Sequence, residues 1–400
     1  MTSTTSDTDL PVVPAQRAAH RPLAPPPEFV SWREEPGLRR AMYHGEPHWV
    51  VSRYQDIRAA LVDPRLSADT LPDRLKPQDG DNAAIMFART DDPEHHRLRR
   101  MMTSDFTFRR CEAMRSQIQD MVDTFLGEMV DAGPPADLVN DFALPVPSLV
   151  IALLLGVPEE DLAAFQRYTG VGLDAKATDE EKTQSFVSMY GYIHELVDRK
   201  ERDPGDDLMS RLVTEQMATG QLNRETAALS GMTMLVAGHE TTANMISLGT
   251  VALLEHPDIF KRLGETDDRA VIANIVEELM RYLTIVHGQV DRVATEDLTL
   301  GGQLIRAGDK LLMNLPAGNW DTEFVDDPET FDADRNTRGH VAFGYGVHQC
   351  IGANLARVEM QVAFATLARR LPGLQLAVSP DELKFKDADI YGMKELPVTW

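Results

Sequence analysis

The chain has 400 residues, 43% of them hydrophobic, and a formal net charge of −23 at pH 7. This acidic balance excludes proteins that bind nucleic acid or an anionic membrane surface through general charge, because both surfaces select basic chains. Two cysteines cannot form a disulfide framework and are typical of a reducing compartment, so we expect a cytoplasmic protein.

The N-terminal stretch is polar and rich in proline, including Pro25-Pro26-Pro27. It contains no apolar segment of the kind that signal peptides and membrane anchors need. We therefore predict a flexible tail over residues 1–28. No linker, repeat or shift in composition divides the remainder, so we predict a single domain over residues 29–400.

The first predicted elements are a short strand at Trp49–Tyr54 and a helix from Tyr54 to Leu61. A polar stretch from Leu75 to Ala88 predicts a loop. Helical spacing of apolar residues then prevails from Asp92 to Leu173, with interruptions at prolines.

The second half of the chain is predicted to be helical at first and partly stranded later. Its predicted helices are Asp179–Arg202, Leu208–Thr219, Asn223–Glu255, Val271–Leu283 and Ile351–Arg370. Strand-like residues occur between Val290 and Met313, with hairpin glycines at positions 301 and 302. The sequence therefore predicts a mainly α fold with a small β portion.

The apolar run from Met232 to Leu254 is long enough to raise the question of a membrane span. Its middle holds His239 and Glu240, and charge is costly in lipid, so we interpret it as a buried helix of a soluble protein. His239-Glu240 also begins the zinc-protease pattern His-Glu-x-x-His, but Ala243 stands where the second histidine is required. A structural explanation stays open, in which the threonines that follow bond to helix carbonyls and bend the helix.

One cysteine lies in a glycine-rich loop directly before the last predicted helix, in the string Phe343-Gly-Tyr-Gly-Val-His-Gln-Cys350-Ile-Gly. Glycines let the backbone turn tightly and approach a flat ligand closely. A helix N-terminus lowers the pKa of a thiol, so we expect Cys350 to be a thiolate suited to a soft or redox metal, haem iron among them. The alternative is a buried, inert cysteine.

The whole string resembles the haem-binding signature of the cytochrome P-450 superfamily, Phe-Gly-x-Gly-x-His-x-Cys-x-Gly, and matches it at every fixed position. The apolar run carries Ala237-Gly-His-Glu-Thr-Thr242, which is similar to the family's oxygen-activating motif. Glu278-Leu-Met-Arg281 is similar to its Glu-x-x-Arg motif. The family's pattern is broken at Trp320 and Thr322, which replace an arginine and a proline.

The resemblance implies the cytochrome P-450 fold, with haem b between a long central helix and the cysteine loop. Cys350 would be the axial ligand of the iron, and Phe343 and Gly344 would contact the haem from the same loop. The cations that match those holding the haem propionates are His95, Arg99, Arg292 and His348.

The resemblance also implies roles for the other motifs. Gly238 would leave room for dioxygen above the haem, Thr241 would hydrogen-bond it, and Glu240 would relay protons from solvent. The pair Glu278 and Arg281 would meet Arg335 from a later loop and hold the cysteine loop in shape. The residues expected to line a substrate pocket are Met86, Phe87, Ala237, Val286, Ile390 and Met393.

Two further features of this pocket follow from the family's layout. The loop around Ala84 would form its roof, and residues 165–173 would form a lid. Met86 and Phe87 have a second interpretation, in which they anchor their loop to the core.

The function that the resemblance implies is a haem-thiolate monooxygenase of the soluble bacterial type. It would hydroxylate or epoxidise a hydrophobic secondary metabolite or drug-like compound, with electrons from a ferredoxin and its reductase. NAD(P)H would act only through these partners, because no Gly-x-Gly-x-x-Gly follows a predicted strand.

Two other classes stay open at this point. One is a haem enzyme of another reaction type, such as a peroxygenase, an oxidative coupler or a dehydratase. The acid–alcohol pair Glu240-Thr241 argues against it, because such enzymes often lack the pair. The other is a non-catalytic haem-binding protein or an acidic adaptor.

Overall fold

A computed structural model describes residues 10–15, 17–70, 85–173, 178–386 and 388–400. The helices of these residues are α1 (Pro27–Glu34), α2 (Tyr54–Val62), α3 (Glu94–Thr103), α4 (Phe108–Ala113), α5 (Arg115–Ala132), α6 (Pro145–Leu155), α7 (Leu162–Leu173), α8 (Asp179–Arg202), α9 (Leu208–Arg211), α10 (Arg224–Leu254), α11 (Pro257–Glu265), α12 (Arg269–Leu283), α13 (Leu315–Asn319) and α14 (Ala353–Arg370).

The strands are shorter and form separate sheets. They are β1 (Val12–Val13), β2 (Arg39–Tyr43), β3 (Glu46–Val51), β4 (Leu66–Ser67), β5 (Ala136–Asp137), β6 (Asp291–Ala294), β7 (Leu298–Leu300), β8 (Gln303–Ile305), β9 (Lys310–Met313), β10 (Gln375–Leu376), β11 (Lys384–Phe385), β12 (Met393–Glu395) and β13 (Pro397–Thr399). A six-stranded sheet has the order β1-β2-β3-β9-β6-β4, β5 joins β10 and β13, and two pairs are formed by β7 with β8 and β11 with β12. The predicted mainly α fold with a small β portion is confirmed.

The long helix α10 runs through the main core. Asn223 caps it, since its side chain accepts a hydrogen bond from the Thr226 N–H. From Thr242 to Leu253 every residue is buried, and the helix packs against α6, α8 and α14. Among the described residues, we find no helix with both the length and the apolarity that a membrane crossing requires.

The six-stranded sheet joins distant parts of the chain. β3 pairs in parallel with β9, with Val50 opposite Leu312, and β6 pairs antiparallel with β9, with Arg292 opposite Leu311. A second buried apolar cluster lies between this sheet and α2. The sheet thereby fixes the strand that carries Arg292.

The N-terminal segment is not a tail where the structure describes it, so the prediction for residues 1–28 is wrong there; residues 1–9 and 16 lie outside the described residues. β1 pairs in parallel with β2, and Val13 and Leu23 are buried. The Arg17 guanidinium donates to the carbonyl oxygens of Leu23 at 2.6 Å and Leu283 at 2.7 Å. A few apolar side chains and one arginine find partners far along the chain, which local polarity did not reveal.

Most predicted helices are confirmed within a few residues, and one is shorter than predicted. The helix expected at Leu208–Thr219 is α9, which ends at Arg211 and is followed by a π-helical turn at Leu212–Met217. The loop predicted at Leu75–Ala88 lies largely outside the described residues.

Candidate active site

The loop before α14 is a tight turn held by its own backbone. The Cys350 N–H donates to the Phe343 carbonyl at 2.8 Å, and the Gly344 N–H donates to the Val341 carbonyl at 2.8 Å. Gly344 and Gly346 have φ of 70° and 74°, a region that disfavours other residues. A Cβ at Gly346 would lie 2.7 Å from the Leu61 carbonyl oxygen, so only glycine fits there.

An internal space borders the cysteine loop and the long helix. Cys350 presents accessible surface although protein surrounds its thiol. On α10, Val236 is 51% exposed and Ala237 is also exposed, although the helix runs through the core. Accessible side chains at these depths indicate a cavity lined by a thiol and by a helix face.

Burial and neighbouring groups act in opposite directions on the pKa of the Cys350 thiol. Burial raises its pKa above the ordinary value, while the N–H groups of Gly352 and Ala353 and the cations Arg99 and Arg357 act in the opposite direction. That Cys350 is a thiolate therefore stays a prediction, because desolvation opposes the effect of the helix N-terminus. Metal coordination deprotonates a thiol outright.

The described surroundings of Cys350 fit a metal that needs only one ligand from the protein. Within the described parts of the chain, no three His, Cys, Asp or Glu residues cluster so that they could hold a metal ion. Iron in a porphyrin meets this condition, because the macrocycle supplies four ligands and the protein supplies the axial one.

Two histidines form the centre of a buried cationic cluster. His95 is 1% exposed, and its ring lies 3.8 Å from that of His348. Its Nδ1 lies 3.4 Å from Asp92 Oδ1, but neither ring nitrogen of His95 makes a hydrogen bond within the described residues. The pKa of His95 is lowered by burial and then by Arg99. Burial and then the charge of His95 lower the pKa of His348 to about 3.

Two arginines complete the cluster. Arg99 donates to the Gln349 carbonyl at 2.6 Å, and Arg292 donates to the Asp291 carbonyl at 2.7 Å. Burial lowers the pKa of both guanidinium groups. The cluster thus holds two unsatisfied ring nitrogens and two partly desolvated cations beside the cysteine loop. Two carboxylates of a flat ligand would supply what it lacks, so the residues present fit haem propionates.

The motif on α10 presents an acid and an alcohol. The Thr241 hydroxyl donates to the Ala237 carbonyl at 2.7 Å, and the Glu240 carboxylate lies 3.0 Å from Lys386 Nζ. His239 is buried, and its Nε2 lies 3.0 Å from the Leu144 carbonyl oxygen. Burial lowers the pKa of His239 to about 4, so the ring is neutral at pH 7 and donates to this carbonyl.

Gly238 serves the packing of two helices. A Cβ at this position would lie 3.2 Å from Cδ1 of Ile151 in α6. The expectation that this glycine also leaves room for dioxygen above the haem stays a prediction. The motif's spacing identified the glycine but not the direction in which it faces.

A buried ionic network joins α12 to the segment between α13 and the cysteine loop. Glu278 and Arg281 are 0% exposed and form two hydrogen bonds of 2.7 and 2.8 Å. Arg281 also donates to the Pro328 carbonyl at 2.8 Å, and Arg335 Nε lies 3.5 Å from Glu278. The structure thus brings together the three residues that the sequence singled out.

The cytochrome P450 family model matches residues 173–372. Cytochrome P450-SU2 of Streptomyces griseolus is 45% identical, over 99% of this chain and 98% of the relative. The chain belongs to the cytochrome P450 family. The resemblance stated from the motifs is confirmed, and with it the enzyme class: this P450 is a monooxygenase.

A solved structure and a further relative agree with this assignment. The crystal structure of GfsF has a TM-score of 0.90 and 44% identity, covering 98% of this P450 and 100% of that chain. Mycinamicin VIII C21 methyl hydroxylase of Micromonospora griseorubida is 40% identical, over 94% of this P450 and 96% of the relative. Members of the family carry haem, which the cysteine loop and the cationic cluster of this P450 fit.

The residues expected at the substrate pocket fall into two groups. Val286 and Ile390 are partly buried and paired by a β-bridge, and Met86 and Ala237 also retain exposed surface. Met393, at 0% exposed, belongs to the main core, so the prediction that it lines the pocket is wrong.

The two other parts of the predicted pocket are the loop that carries Ala84 and Phe87 and the lid at 165–173. Phe87 is buried in the main core, with its ring parallel to that of His95 at 6.5 Å, which fits the alternative of an anchor. Phe165 is likewise buried, so within the predicted lid at 165–173 this side chain faces the core. Ala84 lies outside the described residues.

Sequence reasoning missed two residues at the site and one buried acid on α14. Val236 precedes the motif and is a large apolar residue of α10 that is 51% exposed. Lys386 pairs with Glu240 from the C-terminal strands. Glu359 on α14 is buried, which raises its pKa to about 8, and its Oε2 has no partner among the described residues. Only Glu359 gave a local signal, as an acid on the apolar face of a predicted helix.

Proposed function

We propose that this P450 hydroxylates or epoxidises a hydrophobic secondary metabolite or drug-like compound, with electrons from a ferredoxin and its reductase. The observation that carries the proposal is the acid–alcohol pair Glu240-Thr241, which lies one helical turn after the exposed apolar residues Val236 and Ala237 on α10. Proton-handling groups and apolar surface thus share one cavity.

The haem, of the b type, would be held at both of its polar features. Cys350 Sγ would coordinate the iron, and the cationic cluster of His95, Arg99, Arg292 and His348 would bind the propionates. When bound, haem supplies the iron chemistry that activates dioxygen for insertion of one oxygen atom into a C–H bond. The buried pair of Glu278 and Arg281, with Arg335, would keep the cysteine loop rigid.

Thr241 and Glu240 would manage protons on the opposite side of the cavity. Thr241 donates its own proton to the Ala237 carbonyl, which leaves the lone pairs of its oxygen free to accept from a water. Glu240 would pass protons from solvent to that water. The pair favours a monooxygenase over an enzyme that needs no proton delivery, such as a peroxygenase.

The substrate class is supported by the lining of the cavity. Val236, Ala237, Val286 and Ile390 offer apolar surface in an otherwise acidic protein. Mycinamicin VIII C21 methyl hydroxylase and pentalenic acid synthase of Streptomyces avermitilis, which is 42% identical, carry names of natural-product chemistry. We extend that substrate class, and no single compound, to this P450.

The electron donor would be an acidic ferredoxin that docks on the cysteine side. Arg100 is exposed at the end of α3, next to Arg99, whose guanidinium contacts the cysteine loop at Gln349. Local positive charge on a chain of net charge −23 would steer an acidic partner. NAD(P)H would enter only through the reductase. We also propose a cytoplasmic location, which the two cysteines left unpaired support.

Purified protein, titrated with a panel of macrolides, terpenes and drug-like compounds, tests the proposal through the haem spin state. The compounds that shift it are then incubated with a ferredoxin, its reductase and NADPH, and the products are weighed by mass spectrometry. We expect products that gain one oxygen atom. Products formed with hydrogen peroxide alone, and none with the electron-transfer partners, would instead establish a peroxygenase.

The wall of the cavity is tested in the same assay. Ile390→Ala should change the affinity of the substrate or the position oxidised, because Ile390 retains exposed surface beside Val286. Leu304→Ala is the matched control, since Leu304 is an exposed residue of the β7–β8 pair. Unchanged affinity and regiochemistry in the Ile390 variant would place the pocket elsewhere.

A further inference from the structure

The connection between β11 and β12 packs directly against the long helix. We call residues 386–392 the hairpin loop; position 387 lies outside the described residues. The Lys386 N–H donates to the Gly392 carbonyl at 2.8 Å and closes the loop. Its ammonium group lies 3.0 Å from Glu240 Oε1 and 3.1 Å from Asn244 Oδ1. Glu240 and Asn244 are one helical turn apart on α10, so Lys386 bridges two neighbouring side chains of one face.

The contact between the hairpin loop and α10 is close. A Cβ at Gly392 would lie 2.1 Å from Asn244 Oδ1, so the backbone of the loop touches the helix. Asn244 is 2% exposed and its Nδ2 has no partner among the described residues. The side chain of Lys386 is 14% exposed and that of Glu240 is 27% exposed. The pair is therefore sheltered from solvent and is screened less than a surface ion pair.

In this geometry, the two oxygens of the Glu240 carboxylate have different partners. Oε1 of Glu240 accepts from Lys386, so the ammonium group fixes the rotation of the carboxylate and leaves Oε2 unused by this cation. A group that passes protons must hold its acceptor atom toward the next member of the chain. Without the cation, the carboxylate would be free to rotate about its terminal bonds.

We propose that Lys386 is a positioning residue for proton delivery, acting on the orientation of the Glu240 carboxylate. The inference rests on the proposed function of Glu240 and adds to it the group that holds the acid in place. The same loop carries Ile390, which pairs with Val286 at the cavity wall. Proton delivery and the cavity wall thus depend on one short segment.

The test replaces the cation without touching the cavity. In Lys386→Met, product formed per NADPH consumed should fall about 3- to 10-fold, with matching release of hydrogen peroxide, because a mispositioned acid delivers protons late. The solvent isotope effect on turnover should rise. Lys386→Arg should restore most of the loss, since a guanidinium also donates to Oε1. Lys386→Gln is used for these measurements if the Met variant does not load haem.

The matched control is Lys384→Met. Lys384 lies on β11, two residues before Lys386, and bears the same charge. Its side chain is 65% exposed and pairs at 2.8 Å with Glu395 of β12, not with a residue of α10. This variant should keep the wild-type product yield per NADPH. An equal loss in both lysine variants would overturn the proposal, because general charge or hairpin stability would then be responsible.

A double-mutant cycle separates this inference from the proposed function. Glu240→Gln should lower the yield per NADPH by itself, and Lys386→Met should add little in its presence. In haem-free protein, the same cycle should show coupling in the thermal unfolding temperature. If Glu240→Gln lowers the yield and Lys386→Met does not, the positioning role is wrong and the acid's role stands. If Glu240→Gln has no effect, both are wrong.

Discussion

At the scale of single residues, the site is governed by desolvation. Cys350, His95, His348 and Arg99 all have pKa values shifted by burial toward their neutral forms. Buried polar groups without hydrogen-bond partners are unfavourable. A haem would supply partners for these groups, because it is flat and carries two negative propionates and a metal at its centre. These side chains therefore fit the iron and the propionates of a haem.

Thr241 allows a direct test of proton handling. Thr241→Ala should still bind substrate and consume NADPH through the redox partners, but it should release much of the electron flow as hydrogen peroxide, because the hydroxyl that holds the proton-donating water is lost. Thr242→Ala is the control, since Thr242 is buried beside it. Full yield of product per NADPH in the Thr241 variant would contradict the role given to this hydroxyl.

His239 makes stability depend on pH. In the folded protein its pKa of about 4 lies below the ordinary 6.5. Between these two pH values the unfolded chain therefore binds a proton at His239 and the folded chain does not. Stability should therefore fall as pH decreases from 6.5 to 4, by up to about 3 kcal/mol from this group. Urea unfolding of His239→Gln against pH should show a shallower fall than the wild type, whereas exposed His20→Gln should match the wild type. Equal slopes in all three proteins would contradict this account.

At the scale of elements, the sequence predicted the features that local signals determine and did not predict the pairings between distant segments. The apolar run with Asn223 before it predicted α10, and the glycine spacing predicted the cysteine loop, because both signals lie within one segment. The parallel pairing of β3 with β9 and the burial of Met393 were not predictable, since each depends on residues far away in sequence. The direction in which Gly238 faces depends on how α10 packs on α6. The ion pair of Lys386 with Glu240 was not predictable either, because it joins two distant segments of the chain.

The N-terminal segment tests the importance of such distant contacts. Arg17 ties it to the end of α12 through the Leu283 carbonyl, and its guanidinium lies 4.1 Å from the ring centre of Tyr391. Arg17→Met should lower the free energy of unfolding by about 2 kcal/mol, because charged hydrogen bonds to carbonyls are lost. Arg39→Met, which removes an exposed ion pair with Glu35, should change it by less than about 0.5 kcal/mol. Equal unfolding midpoints in urea for both variants would contradict a clamp at Arg17.

At the scale of the whole molecule, one scaffold holds two chemically different surfaces around a cavity. The cysteine loop and the cationic cluster come from α3, β6 and the segment before α14. The six-stranded sheet fixes β6 through its pairing with β9, and the buried pair of Glu278 and Arg281 lies on α12. The acid, the alcohol and the apolar surface come from α10 and the hairpin loop. In the function proposed for this P450, the fold would therefore separate the binding of the cofactor from the handling of protons.

The measurement that tests the central claim most directly is the carbon monoxide difference spectrum of the reduced protein, recorded for the wild type, Cys350→Ser and Cys111→Ser. Cys111 is the matched control, because it is the other cysteine of the chain and its side chain is buried. We predict a band near ~450 nm, the mark of thiolate ligation, in the wild type and the Cys111 variant, and its loss in the Cys350 variant. Persistence of the band in Cys350→Ser would contradict the assignment of Cys350 as the ligand of the haem iron.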